Sequence, residues 1–126
     1  MKSLIAAFLI AAAMIGGGVV YTQKLDEISK EALSYSQLIA QSLQQDDFSA
    51  AMTGVEALEQ YVEEKKILMS MILDHTTLDK IESNLAELSG FVEGRMKTDA
   101  QAKGNVLEIL FKHLPKNYKI RLENIL

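Results

Sequence analysis

Asp74 and His75 are the neighbouring pair in this chain whose types and spacing could do chemistry. A carboxylate beside an imidazole can orient it as a general base, or begin a metal site. Asp79 follows four residues after His75, and His113 is the other of the two histidines. If both histidines met at one end of a helical bundle, Asp74 and Asp79 could complete a site of nitrogen and oxygen ligands. The competing role is structural, because short polar residues at a turn between helices hydrogen-bond to helix ends. The structural role carries more weight, so no catalytic, cofactor-binding or metal residue is assigned.

Other chemistry is thinner still. Ser70 and Ser83 fall on helical patterns, and there is no G-x-S-x-G around any serine. Asp46-Asp47 and Glu63-Glu64 read as solvated polar faces. There is no strand signal, so no glycine-rich phosphate loop can follow one. Met14, Met52, Met69, Met71 and Met96 invite a soft metal or a greasy groove, but helical spacing makes Met52 and Met69 core fillers first. The chain has no cysteine, which removes disulfides, thiol nucleophiles and thiolate metal sites.

The elements that would position these residues begin with residues 3–23, which carry no charge. As a helix at about 1.5 Å per residue they would span roughly 30 Å, the thickness of a bilayer's hydrocarbon core. Tyr21 would sit at the outer interface. Met1 and Lys2 carry the positive charge on one side, against Lys24 followed by Asp26 and Glu27 on the other. The expected topology is a single-pass cell-membrane protein, N-terminus cytoplasmic and C-terminal domain extracytoplasmic. A cleaved secretory signal is the rival, with Leu4 to Ile15 as its apolar region and Gly16 and Gly18 near the cut. The expected division is therefore 1–23 as anchor (or uncleaved signal) and 24–126 as a helical extracytoplasmic domain. Ala12 with Gly16, and Ala13 with Gly17, are small residues four apart that could let two anchors approach in a homo-oligomer. Such residues are also common in membrane helices.

Beyond residue 23 the pattern is helical throughout. Leu25, Ile28, Ala32, Tyr35, Ile39 and Ser42 form a stripe with no Gly or Pro in residues 24–45, so the anchor could continue into it as a stalk. Asp47 suits the N-cap of a second helix, whose stripe is Phe48, Ala51, Met52, Val55, Leu58, Val62, Met69 and Leu73. Thr76 or Thr77 is expected to cap a third, with Asp79 in its first turn; its stripe is Leu78, Ile81, Leu85, Leu88 and Val92, and Gly94 fits the C′ position. Thr98 and Gln101 have capping-box spacing for a fourth, in which Ala102, Val106, Ile109, Leu110 and His113 or Leu114 would face inward. Gly104 interrupts that helix, and Pro115 ends it. Asn117 could cap a last turn in which Tyr118, Leu122, Ile125 and Leu126 share a face. The fold class expected is all-α: an N-terminal transmembrane helix, then a small antiparallel bundle of about four helices joined by short links. Two stacked helical hairpins fit this spacing, without a repeat signature.

Charge narrows the partners. The chain carries −4 overall, with five basic and fourteen acidic residues in 24–94 and seven basic and three acidic in 95–126. That balance disfavours nucleic acid. The basic end (Lys112, Lys116, Lys119, Arg121) either offsets the acidic part within the fold or touches lipid phosphate or an anionic wall polymer.

The apolar N-terminus, D-F-S-A-A from Asp47, L-D-H ending at His75, the helix from Leu78 to Val92 and the closing L-E-N-I-L from Leu122 together resemble one bacterial family, the domain of unknown function 4363. The likeness covers nearly the full length. Its most specific parts are Asp74-His75 and the closing Leu-Glu-Asn-Ile. Members look like short single-pass membrane proteins of Gram-positive, often spore-forming, bacteria. The family pattern often has Trp in place of Phe48 and a second Trp near Tyr61; both are lacking here. The resemblance implies the architecture and brings no activity, cofactor or substrate.

Three functional expectations result. The first is a membrane-anchored helical interaction or scaffold domain without catalytic activity or cofactor, bound to lipid through its N-terminal helix and to another membrane or envelope protein. The second is a small ligand-binding or sensor bundle, with a pocket near Tyr35, Tyr61 and His75. The third is a metal site or enzyme around Asp74, His75 and His113.

Overall fold

Leu25, Ile28, Ala32, Ile39 and Leu43 recur at three- and four-residue spacing, and all five are buried. They are the inner face of a helix that has neighbours on two sides. The computed structural model describes residues 2–114, and the side chains of 4–12 and 24–114 among them. Expectations resting on Ala13, Gly16, Gly17, Gly18 and Tyr21 side chains, or on residues 115–126, lie outside what it describes.

The described chain is all-α and runs α1 (Lys2–Gln44), α2 (Phe48–Ile72), α3 (His75–Glu93) and α4 (Lys97–Lys112). α1 packs against α2 and α4, and α3 packs against the same two. Links of two or three residues force each helix to run antiparallel to the one before it. The result is a closed ring of four helices around one core. α1 is longer than its partners, and at about 1.5 Å per residue it extends some 65 Å. The bundle uses it from Leu25 onward. Residues 4–12 stand exposed. Among the described residues no helix is long and apolar enough to cross a membrane.

The core confirms two stripes closely and redirects a third. Leu78, Ile81, Leu85, Leu88 and Val92 are all buried, as their spacing predicts. In α2 the buried set is Ala51, Val55, Leu58, Tyr61, Val62, Met69 and Ile72, with Phe48 and Met52 only half-buried. α4 is turned away from the expected face, which it keeps at Leu114 and in part at Leu110. Ala100, Leu107, Phe111 and Leu114 are buried, while Val106 is 40% and Ile109 55% exposed, and Ala102 and His113 face solvent. Residues 106, 107, 109, 110 and 111 are all apolar, so the periodicity there fits two faces. The bulkier pair, Leu107 and Phe111, takes the core because it buries more apolar area.

The helix ends explain the remaining differences. At the α1–α2 link Asp46 adopts φ 57, and at the α3–α4 link Arg95 does the same. In each case two backbone bonds close the helix: Asp46 N–H to Leu43 O and Asp47 N–H to Ser42 O, then Arg95 N–H to Val92 O and Met96 N–H to Phe91 O. This is the Schellman arrangement, with a non-glycine residue in the left-handed position both times. Gly94, expected at C′, instead sits one place earlier with φ −78. The α1–α2 and α3–α4 hairpins are thus each closed by a matching turn, and Lys97 Nζ bridges to Asp46 Oδ1 at 2.9 Å between the two turns. Met96 serves both as the last residue of one turn and as the N-cap of α4. Thr98 therefore falls inside the first turn and makes no capping box. Asp47 caps α2 as expected, accepting from Ala50 N–H at 3.0 Å. α3 is capped by Asp74 rather than by Thr76 or Thr77, which puts Asp79 beyond the first turn.

Candidate binding cleft between α1 and α4

The antiparallel ring brings Asp74, His75 and His113 to the same end of the bundle, where α2 passes into α3 and α4 finishes. It does not make a reactive centre of them. Asp74 Oδ1 accepts from Thr77 N–H at 2.9 Å, so that carboxylate closes the start of α3. His75 and Asp79 are exposed, and His113 is the exposed C-cap of α4. Among the described residues no group of three or more His, Cys, Asp or Glu could hold a metal ion. The metal site expected as one alternative around Asp74, His75 and His113 is corrected accordingly: the cap takes the carboxylate that the site would need.

The serines considered as nucleophiles make local bonds. Ser70 Oγ donates to Ile67 O at 2.7 Å and Ser83 Oγ to Lys80 O at 3.4 Å. Met69 is a core residue as its spacing implies, while Met71 is exposed. Tyr35 and Tyr61, expected near a pocket, pack against each other. The rings of Tyr35 and Tyr61 lie 5.5 Å apart between centroids, tilted by 44°, and Lys65 Nζ lies 5.9 Å from the Tyr61 ring centre. Burial, helped by a hydrogen bond to the Glu31 carboxylate, pushes the Tyr61 hydroxyl pKa well above the ordinary tyrosine value.

A concave feature lies between α1 and α4. Ser36, Ile39, Ala40, Leu43 and Gln44 of α1 face Gln101, Gly104, Asn105 and Glu108 of α4 across a cleft of about 320 Å³. Its origin is one residue. The inner face of α4 advances through Ala100, Gly104, Leu107, Phe111 and Leu114, in steps of four, three, four and three. Every member but Gly104 brings a side chain to the core. A Cβ built on Gly104 would meet nothing within 4 Å. A mid-helix glycine costs about 1 kcal/mol against alanine, and here it also forgoes the burial of a side chain.

Ser36 faces the same gap. It is 8% exposed, and its hydroxyl is buried with no hydrogen-bond partner. Such a group costs roughly 1–3 kcal/mol. Ser29, seven residues earlier on α1, shows the satisfied version: its Oγ donates to Phe111 O at 2.7 Å in the last turn of α4. The cleft walls carry three carboxamides, one hydroxyl and the Glu108 carboxylate, and none of its lining residues is basic. Glu108 pairs with Lys112 one turn on, at 3.6 Å. A second concavity of about 230 Å³, between α2 and α3, has the Lys66–Glu82 ion pair at its wall.

The sequence alone singles out none of Ser36, Asn105 and Glu108, and gives Gln101 only a capping role with Thr98. The available signal was the register of Gly104 with Ala100 and Leu107, which is visible only once Leu107 and Phe111 are assigned to the core.

These features define a class first: an all-α antiparallel four-helix domain in which one long N-terminal helix is also a bundle helix. The chain belongs to the family described as Domain of unknown function (DUF4363), which matches residues 19–125. That match bears out the resemblance carried by the Asp47, Asp74-His75 and Leu122 motifs. No curated protein and no solved structure matches the chain.

Proposed function

We propose that this protein is a membrane-anchored helical interaction domain that does no chemistry of its own. Residues 1–23 hold it in the cell membrane, with the N-terminus cytoplasmic, and residues 24–126 form the domain on the outer side. Its partner is another membrane or envelope protein.

The observation that carries the reading is the division of labour within α1. From Leu25 the helix is built into the bundle core. Toward its start the same helix exposes Leu4, Ile5, Phe8, Leu9 and Ile10, each between 61% and 77%. Apolar side chains exposed on several sides of a helix suit lipid or another apolar medium rather than water. Because α1 is one unbroken helix, it would fix the bundle rigidly at the membrane surface. The domain itself offers helix faces and no assembled reactive group among the described residues, which suits holding another protein.

The test is purification of the tagged full chain from native membranes in mild detergent, with co-purifying proteins identified and quantified. One membrane protein recovered at near-stoichiometric level supports the reading. A chain recovered alone, whose deletion leaves every membrane complex unchanged, refutes it.

A further inference from the structure

We propose that the cleft between α1 and α4 is a binding site for a short-chain amino alcohol, its ammonium at Glu108, its carbon chain in the gap at Gly104 and its hydroxyl on Ser36. This goes beyond the scaffold reading and does not depend on it.

Two independent observations meet in the cleft. The buried Ser36 hydroxyl lacks a partner. Opposite it, the inner face of α4 has a glycine where its neighbours in register carry side chains, and the space beyond that glycine is open. An occupant with a hydroxyl and an apolar segment answers both, by pairing with Ser36 once its hydroxyl turns toward the cleft and by filling the gap at Gly104. A volume of about 320 Å³ lies at the small end of ligand cavities, which run from about 300 to 1,000 Å³. It admits a small molecule and not a folded segment.

Charge selects the other end of the ligand. An ammonium carries three donors and no acceptor. Glu108, with the carboxamide oxygens of Gln101 and Asn105, presents acceptors on the same wall. An anion would meet Glu108 with no basic lining residue to offset it. Lys112 holds Glu108 only by a partly exposed ion pair along one helix, which is a weak competitor for a partner inside the cleft.

The experiment is a titration of the full chain in detergent micelles, followed through backbone amide resonances. The probes are aminobutanol, butylamine and hydroxybutyrate. Aminobutanol is expected to give saturable shifts at Ser36, Gly104, Asn105 and Glu108, and hydroxybutyrate none. Gly104→Leu fills the gap from a position with room for it and is expected to abolish the shifts, while its circular dichroism stays helical. Glu108→Gln, at a partly exposed position that leaves the fold intact, is expected to weaken aminobutanol at least about tenfold, or about 1.4 kcal/mol. Ser36→Ala is expected to bring aminobutanol down to the affinity of butylamine. No saturable shift with aminobutanol overturns the proposal. So do equal shifts with hydroxybutyrate, or shifts that persist unchanged in folded Gly104→Leu or in Glu108→Gln.

Discussion

Ser29 of α1 donates its hydroxyl to the carbonyl of Phe111 in the last turn of α4, at 2.7 Å. Seven residues along α1, Ser36 occupies the equivalent position and has no such partner. The two serines lie on the same face of one helix and differ in what α4 offers them. The Phe111 carbonyl belongs to the last turn of α4 and has no N–H four residues on to accept from, because residue 115 is proline. At Gly104 the carbonyls lie within the helix and are already bonded.

That contrast gives opposite expectations for the same substitution. Ser29→Ala removes a satisfied bond between α1 and α4 and is expected to lower stability by about 1 kcal/mol. Ser36→Ala removes a hydroxyl that is buried without a partner, and is expected to leave stability unchanged or to raise it by up to about 1 kcal/mol. Urea unfolding of the two variants against the parent chain measures both. A larger loss for Ser36→Ala than for Ser29→Ala would reverse the assignment.

The glycines in mid-helix divide in the same way. A Cβ on Gly54 would lie 2.8 Å from Ile39 Cγ1, a side chain locked in the core. Gly54→Ala is therefore expected to cost about 1 kcal/mol net, because overpacking at about 1–3 kcal/mol exceeds the gain in helix propensity. Gly104→Ala meets nothing and is expected to stabilise by about 0.5–1 kcal/mol. Thermal melts that move in opposite directions would bear this out.

The register of α4 can be checked by pairing one inner and one outer residue. Leu107→Ala is expected to cost about 2–5 kcal/mol, as large-to-small changes in a core do. Ile109→Lys, on the exposed side, is expected to stay within about 0.5 kcal/mol of the parent. If Ile109→Lys unfolds the domain and Leu107→Ala does not, α4 is turned the other way.

Much of the bundle was legible because its signals were local. The α3 stripe is one apolar face with polar residues elsewhere, so its spacing admits one orientation. Asp47 caps α2 because it immediately precedes an apolar run. The α4 face was not legible in this way. Its apolar residues cover two faces, and the choice between them depends on how much Phe111 and Leu107 bury against the other helices. The two matching turns were hidden for a different reason. Asp46 and Arg95 take a backbone conformation in which glycine is the usual signal, so glycine at position 94 drew the expectation one residue away. The cleft depends on both of these things, since it is a missing side chain in a stripe whose register had to be known first.

Tyr61 supplies a dependence on pH. Burial and the neighbouring Glu31 carboxylate raise its folded-state pKa above the ordinary value of 10.0. Above pH 10 the unfolded chain loses this proton and the folded chain keeps it, so ionisation favours unfolding. The Tyr61 contribution is fully present below pH 10 and declines as pH rises beyond it. Tyr61→Phe removes the titrating group, and its stability is expected to fall less steeply over that alkaline range. Parallel denaturation curves at rising pH compare the two. Identical slopes would show that the hydroxyl titrates normally in the folded state.

The membrane anchor is the claim on which the functional account turns, and extraction tests it most directly. Native membranes containing the tagged full chain are washed in alkaline carbonate, and the intact mass of the recovered protein is measured. The account predicts that the chain stays with the membrane pellet at its full mass, residues 1–23 included. Release into the supernatant, or a recovered chain lacking the N-terminal apolar stretch, would contradict it.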